Sequence, residues 1–388
     1  MIAVVATIIA VLVALPSIYL GALGLLASLP QQRPTRTAGA TRKFAVIVPA
    51  HNEAARIGDS LESLARQSYP PEKYQVIVVA DNCTDDTAAI GRARGAKVVE
   101  RHDTSNRGKG YALAAGLEHL EADAGAVLFV DGDCTISENA LAALNSVLAL
   151  GARAVQCRYE MAIEAGSATG AARRLALALV HVVRPLAKER LRASTGLKGS
   201  GMCFDRSLID ALGWKNHGLA EDIEQHIALL QAGERVVYEY DVLVMGSAPT
   251  RLADAREQQE RWEAGRISAA SQHGFPLLLR GLRSRSLPMV DAAIELLVPP
   301  LSVLGAALVA ATLVTVVFGG QVAVIAILVA WISIVWYIVA GVTRANLRAR
   351  DVASMVITLP VYAVWKIVLY AKAVIVRPTT WKPTHRDG

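Results

Sequence analysis

Two aspartates one residue apart, Asp131 and Asp133, close the uninterrupted apolar run Val127-Leu128-Phe129-Val130. Such a run reads as a strand buried on both faces, and the carboxyl ends of these strands are where open parallel sheets bind ligands. Carboxylates held so close repel, and a divalent cation bridging to a diphosphate relieves the repulsion. The same residues also suit a polar turn, because Asp and Gly are ordinary turn formers. The functional reading gains weight from other stretches that supply the missing parts of one reaction.

A displacement at a sugar carbon needs a separate carboxylate to take the acceptor proton, and Glu221-Asp222, opening a helix whose apolar face is Ile223, Ile227 and Leu230, offers one. Acids in a first turn are also stabilised by the macrodipole alone. Gln258, Arg261 and Trp262 lie three and four residues apart on one helical face, where amide, guanidinium and indole suit a pyrophosphate beside a sugar ring. An amphipathic interface helix with Trp262 at the headgroups gives the same pattern. Arg107-Gly108-Lys109-Gly110 precedes a helix and either meets a phosphate or stays a solvated basic loop; it is not a P-loop, since no Ser or Thr follows the Gly-Lys pair.

These residues must be positioned by a sheet. The expected strands are Phe44–Val48, Val76–Val79, Lys97–Val99 and Val127–Val130, with helices from near Glu53, over Ala88–Arg94 and over Tyr111–Leu120. The alternation implies right-handed crossovers and a mostly parallel, Rossmann-like sheet. Its strand ends carry Pro49-Ala50-His51-Asn52-Glu53 and Asp81-Asn82-Cys83-Thr84-Asp85-Asp86-Thr87. Their side chains and backbone read as lining a crevice for a nucleotide base and ribose, with helix capping by Asn52 and Thr84 as the plainer alternative; Asp81 is assigned to the ligand and His51 to the loop.

The 388 residues have a formal charge of +6 and a mean hydropathy of +0.36. The apolar excess sits at the two ends, which indicates an integral membrane protein with a soluble middle. Ile2–Leu29 has no charged residue and no basic segment ahead of it, and so reads as a retained crossing rather than a signal peptide. Leu301–Phe318 and Val322–Ala340 read as two more. Arg33, Arg36, Arg42 and Lys43 after the first span, Arg280, Arg283 and Arg285 before the second, and Arg344, Arg348 and Arg350 after the third put the middle on the cytoplasmic side. The basic excess therefore faces membrane lipid and needs no nucleic acid. Cys83, Cys134, Cys157 and Cys203 lack zinc spacing and read as packed thiols.

The expected organisation is a transmembrane helix at 1–30, a linker at 31–41, the catalytic domain at 42–287, an interface helix and two crossings at 288–351, an interfacial or re-entrant segment at 352–376, with a fourth crossing as the alternative for that stretch, and a tail at 377–388. Pro49 to Glu53, Asp81, Asp131-Gly132-Asp133, Glu221-Asp222 and Gln258-x-x-Arg261-Trp262, in that order and flanked by spans, resemble the family 2 inverting glycosyltransferases. The resemblance is to the membrane-embedded branch of cellulose, hyaluronan and poly-N-acetylglucosamine synthases.

That resemblance implies a GT-A cytoplasmic domain in a multi-pass protein of the inner (plasma) membrane, a UDP-sugar donor of a hexose or N-acetylhexosamine, and Mg or Mn. It implies nucleotide-sugar contacts from Pro49, Glu53, Asp81, Lys109, Asp131, Gln258 and Arg261, and a metal ligand in Asp133. Asp222, beside Glu221, is the implied base, Gly201, Met202 and Trp262 face the acceptor, and the tail Trp381–Arg386 closes over the nucleotide. The acceptor is a growing polysaccharide or lipid-linked glycan. Three crossings are fewer than a secretion channel uses, which favours the lipid-linked form unless a homo-oligomer or partner subunit completes one. A non-catalytic nucleotide-sugar-binding subunit is the alternative reading.

Overall fold

The computed structural model describes residues 1–30, 39, 41–163, 168–218, 220–248, 252–356, 363–364, 367–368 and 370. In chain order the first elements are α1 (Ile2–Ser28), β1 (Phe44–Ala50), α2 (Ile57–Ala65), β2 (Tyr74–Asp81), α3 (Thr87–Ala93), β3 (Lys97–Arg101), α4 (Lys109–Leu117) and β4 (Ala126–Phe129). Then come β5 (Cys134–Ile136), α5 (Ala140–Ala149), β6 (Ala154–Ala162), α6 (Ala168–Ala178), α7 (Arg184–Arg190), β7 (Met202–Asp205) and α8 (Arg206–Leu212). The remaining elements are α9 (Glu221–Gln231), β8 (Val236–Ser247), α10 (Leu252–Ser284), α11 (Leu287–Leu297), α12 (Leu301–Phe318) and α13 (Gln321–Arg344). The tail motif Trp381–Arg386 lies outside the described residues, as does most of 352–376.

The chain divides into two compact units. The first holds Gln32–Ala162 and Ala193–Ala292 and contains an eight-stranded sheet in the order β3-β2-β1-β4-β7-β6-β8-β5. Its first four strands are parallel, as the alternating pattern predicts. Beyond β4 the sheet turns mixed: β7 is antiparallel to both β4 and β6, β8 is parallel to β6, and β5 is antiparallel to β8. Every residue of β1 and β4 is buried, which explains their unbroken apolar character. Side chains alternate between two cores: Val46, Val48 and Leu128 face one, and Ile47, Val127 and Phe129 the other.

The second unit gathers Met1–Gln31, Ile163–Arg192 and Ala293–Val376. The sheet-bearing unit thus omits 163–192, which the expected domain 42–287 had included; α6 and α7 bury their apolar faces among the long apolar helices instead. Among the described residues three helices here, α1, α12 and α13, are long and apolar enough to cross a membrane. On α1, Gly21 and Gly24 let α13 approach so closely that a Cβ would stand 2.6 Å from Ser333 Cβ and 2.9 Å from Tyr337 Cα. Arg184 of α7 donates to Tyr337 Oη (2.8 Å) and Glu295 Oε1 (3.2 Å), and Lys188 pairs with Glu295 as well. A charge buried here without such partners would be strongly disfavoured.

Candidate active site

The site forms where β1, β2 and β4 end. After β4, the Gly132 N–H donates to Pro49 O (3.1 Å), and a Cβ on Gly132 would meet Ala50 Cβ at 3.1 Å. The residue between the two acids must therefore be small, because it lies flat against the end of β1. Pro49 is buried in β1 and offers its backbone only.

Asp131 is fixed from two sides. Its N–H donates to Ser200 Oγ (3.1 Å), and its carboxylate stands 2.5 Å from Lys109 Nζ. Lys109, the first residue of α4, also donates to Gly199 O (2.7 Å). It is therefore not a solvated basic residue but the centre of the site. Burial works against its cation, yet Asp131 and Glu221 outweigh burial and hold its pKa above the ordinary value.

The loop preceding β7 is shaped by three glycines in the left-handed region: Gly196 (φ 77°), Gly199 (φ 81°) and Gly201 (φ 70°). Gln156, fully buried on β6, accepts from the Lys198 N–H (2.8 Å) and donates to Ser200 O (2.8 Å). At the other end Ser194 Oγ and His226 Nε2 lie 2.7 Å apart, both buried, which ties the loop to α9. A Cβ on Gly199 would lie 3.4 Å from Lys109 Nζ and 4.0 Å from Asp222 Oδ2, so the loop passes close to both groups. Sequence reasoning placed Gly201 and Met202 against the acceptor. The structure corrects this, because Met202 is fully buried in the apolar core and Gly201 is buried against Val244 and Cys157.

Glu221 and Asp222 open α9, where the N-cap residue Ala220 supplies no side-chain bond; the Ile223 N–H donates to Asp222 Oδ1 (2.8 Å). Burial and then the charge of Asp222 push Glu221 up to about 7, against the opposing attraction of Lys109. Burial also raises Asp222, with Lys109 and Lys198 opposing. A carboxylate so raised is a better proton acceptor in its ionised form.

Asp133 lines a cavity of about 180 Å³ with Arg56, Asp59, Thr135 and Gly246. Ligand atoms of Asp131, Asp133 and Cys134 lie within 4.8 Å of one another. The donor chemistry discriminates among them. Burial pushes the Cys134 thiol far above its ordinary value, and a soft sulfur suits Mg or Mn less well than the two carboxylates do. Asp131 is engaged by Lys109, which leaves Asp133 as the carboxylate for a hard, oxygen-seeking ion such as Mg or Mn. The residues fit the ion.

At the end of β2, Asp81 is 5% exposed and receives Arg101 Nη1 (2.7 Å), Arg101 itself lying opposite Asp81 in the β2–β3 register. Burial raises the pKa of Asp81, and Arg101 opposes it. His51 Nδ1 sits 2.7 Å from Asp81 O, in the loop role expected of it. Asn52 and Thr84 do not cap: α2 and α3 start without side-chain caps, and Asn52 Oδ1 instead accepts from the Thr84 N–H (2.8 Å), joining the two strand-end loops. The Glu53 N–H donates to Thr87 Oγ1 (2.8 Å) in the same crosslink. Arg101 also lies over Tyr111 (5.3 Å), whose ring stacks on His217 (4.0 Å). Arg101, Tyr111 and His217 were not legible in the sequence.

On α10, Gln258 is buried, Arg261 is half-buried and Trp262 is 43% exposed, so the three do not share one environment. α10 packs against α9, the helix of Asp222.

The family model described as "Glycosyltransferase like family 2" matches residues 41–265, more than half of the chain. The chain belongs to that family. The 4,4'-diaponeurosporenoate glycosyltransferase of Staphylococcus aureus (strain N315) is 38% identical over 108 residues, 27% of this chain and 28% of that protein. The similarity thus spans under a third of the length of this curated relative. A mannosyltransferase from Pyrobaculum calidifontis, solved with GDP-Man and Mn2+, superposes with a TM-score of 0.58 at 19% identity, covering 88% of this chain and 99% of that one. That likeness concerns the fold. Glucosyl-3-phosphoglycerate synthase of Mycobacterium tuberculosis, solved with Mn2+, UDP and glucosyl-3-phosphoglycerate, reaches a TM-score of 0.39 at 21% identity over 60% of this chain and 85% of that one.

Proposed function

We propose that the chain is a membrane-tethered glycosyltransferase that moves a sugar from a UDP-sugar to a lipid-linked acceptor in one inverting displacement. The observation that carries the reading is the grouping of Lys109, Asp131, Gly199 and Asp222: one cation touches a donor-side carboxylate and the loop that abuts the base. Asp222, raised by burial, takes the proton from the acceptor hydroxyl as that oxygen attacks the sugar carbon. Lys109 orients Asp131 toward the donor sugar and supplies positive charge where the leaving diphosphate gains negative charge. Asp81, with Arg101 behind it, faces the base of the nucleotide. Asp133 would hold Mg or Mn, which would supply positive charge for the departing diphosphate. Gln258 and Arg261 of α10 support the same group, and Trp262 borders the acceptor.

A lipid-linked acceptor is favoured because the helices long and apolar enough to cross a membrane number three among the described residues, fewer than a secretion channel uses. The basic residues beside the spans favour an inner-membrane protein with its catalytic unit in the cytoplasm. The S. aureus relatives are named for 4,4'-diaponeurosporenoate, which makes that compound an early acceptor to assay.

The full chain in nanodiscs, given labelled UDP-sugars and extractable lipid acceptors, should release UDP and add a single sugar to lipid with an inverted anomeric centre. A long ladder would point to a processive polysaccharide synthase, with a homo-oligomer or partner subunit completing the channel. Absence of donor turnover with every acceptor would favour the non-catalytic subunit.

A further inference from the structure

The carboxyl-terminal half of α10 carries two apolar stripes, and only one of them is used by the fold. Gly274, Leu277 and Gly281, at helical spacing, are buried. A Cβ on Gly281 would lie 2.9 Å from Met289 Cβ, so this stripe meets α11 at Gly281. Phe275, Leu279 and Leu282 form the second stripe and are 63%, 43% and 57% exposed. Beside them Phe275, Pro276, Leu279, Arg280, Arg283 and Ser284 line an open groove of about 770 Å³.

The charge along this groove has one sign. From Ile267 to Val290 the chain contains Arg280, Arg283 and Arg285 and no acidic residue. All three arginines are exposed, and Arg280 and Arg283, one turn apart, make no ion pair among the described residues. A soluble surface does not ordinarily keep three large apolar side chains in line, and unpaired guanidinium groups along such a line call for an anion attached to something apolar. A polyanion in water would match the arginines but leave Phe275, Leu279 and Leu282 bare; an apolar peptide would cover those and leave the arginines unmatched. An amphiphile with an anionic head satisfies both.

We propose that this groove holds an anionic phospholipid of the adjoining leaflet, its acyl chain along Phe275, Leu279 and Leu282 and its phosphate between Arg280 and Arg283. The site is independent of sugar transfer and makes no use of the carboxylate cluster. It gives α10 a preference for one lipid headgroup class, beyond the general pull of the membrane helices.

The test uses the full chain in neutral detergent, titrated with fluorescent phosphatidylglycerol and, separately, with fluorescent phosphatidylcholine of the same acyl length. Phosphatidylglycerol should bind at least about tenfold tighter, and Arg280→Gln/Arg283→Gln should remove most of that preference, at roughly fivefold per arginine. Phe275→Ser/Leu279→Ser should weaken both lipids, whereas unlabelled glycerol phosphate should fail to displace the labelled lipid at equal concentration. Both variants alter exposed side chains, and an unchanged melting temperature confirms intact folding. Equal affinity for the two lipids, or a double arginine variant that keeps the preference, overturns the proposal. Displacement by glycerol phosphate as effective as by lipid overturns it too, because the groove would then be a free-anion site.

Discussion

Glu221→Gln tests the electrostatics of the site directly, because it removes a charge while keeping the side chain's shape. Glu221 ordinarily titrates at 4.5 and is pushed to about 7, first by burial and then by Asp222, and that value already includes the attraction of Lys109. A carboxyl whose pKa is higher folded than unfolded holds its proton more tightly when folded. Its ionised form therefore costs stability above about pH 7, and the cost fades as pH falls toward 4.5. At about 1.4 kcal/mol per pH unit, the gap between 4.5 and about 7 sets a cost of up to about 3 kcal/mol at pH 8. Glutamine removes it. The variant should melt higher than the parent at about pH 8, by up to roughly 6 to 12 °C for a domain of this size, and nearly level with it at about pH 4.5. Paired melting curves of the full chain in detergent across that range give the measurement. A difference that does not change with pH, or a variant less stable at pH 8, would refute the placement of Glu221 in a buried, negatively charged environment.

Asp222→Asn should lower kcat by at least about 100-fold with the donor's Kd little changed, read from donor titration and turnover on one preparation. Exhaustive chelation should abolish turnover and added Mg or Mn restore it, while Asp133→Ala should raise the ion concentration needed for half-activity at least about tenfold. Arg101→Gln removes the main charge opposing the burial of Asp81, so the donor KM should rise about tenfold and rise further as pH falls, with kcat moved less. Gly201→Ala meets both a left-handed backbone and a Val244 Cγ2 only 2.8 Å away; a loss of about 1–3 kcal/mol of stability is expected in chemical denaturation.

The parts of the site that were legible beforehand are those a strand announces by ending. Asp131 and Asp133 follow an apolar run, and Asp81 closes another, so periodicity alone located them. Lys109 was visible as a basic residue opening a helix, but its partners were not, since Gly199 lies 90 residues away and only the three glycine turns before β7 bring it back. Arg101 looked like the end of a short strand; its role follows from parallel register, which sets it opposite Asp81 and leaves no local trace. Met202 was misplaced because it adjoins the loop, whereas the pleat of β7 turns it into the core. The mixed half of the sheet was hidden for a related reason, as β5, β6, β7 and β8 pair across long and irregular connections.

The detour of 163–192 bears on how this protein can be made and cut. The chain leaves the sheet after β6, contributes α6 and α7 to the membrane unit, and returns to lay down β7 between β4 and β6. β7 is thus a central strand that the ribosome delivers only after a helical insertion has emerged. Until then β4 and β6 each lack a neighbour, and their exposed edges invite pairing with another chain. Trimming the two ends would not release a water-soluble enzyme either, for the excised piece would keep α6 and α7 with Leu175, Leu179, Val183 and Leu186 stripped of their cover. A soluble fragment requires replacing that internal segment with a short linker from Ala162 to Ala193, so the anchor is woven through the catalytic unit rather than appended to it.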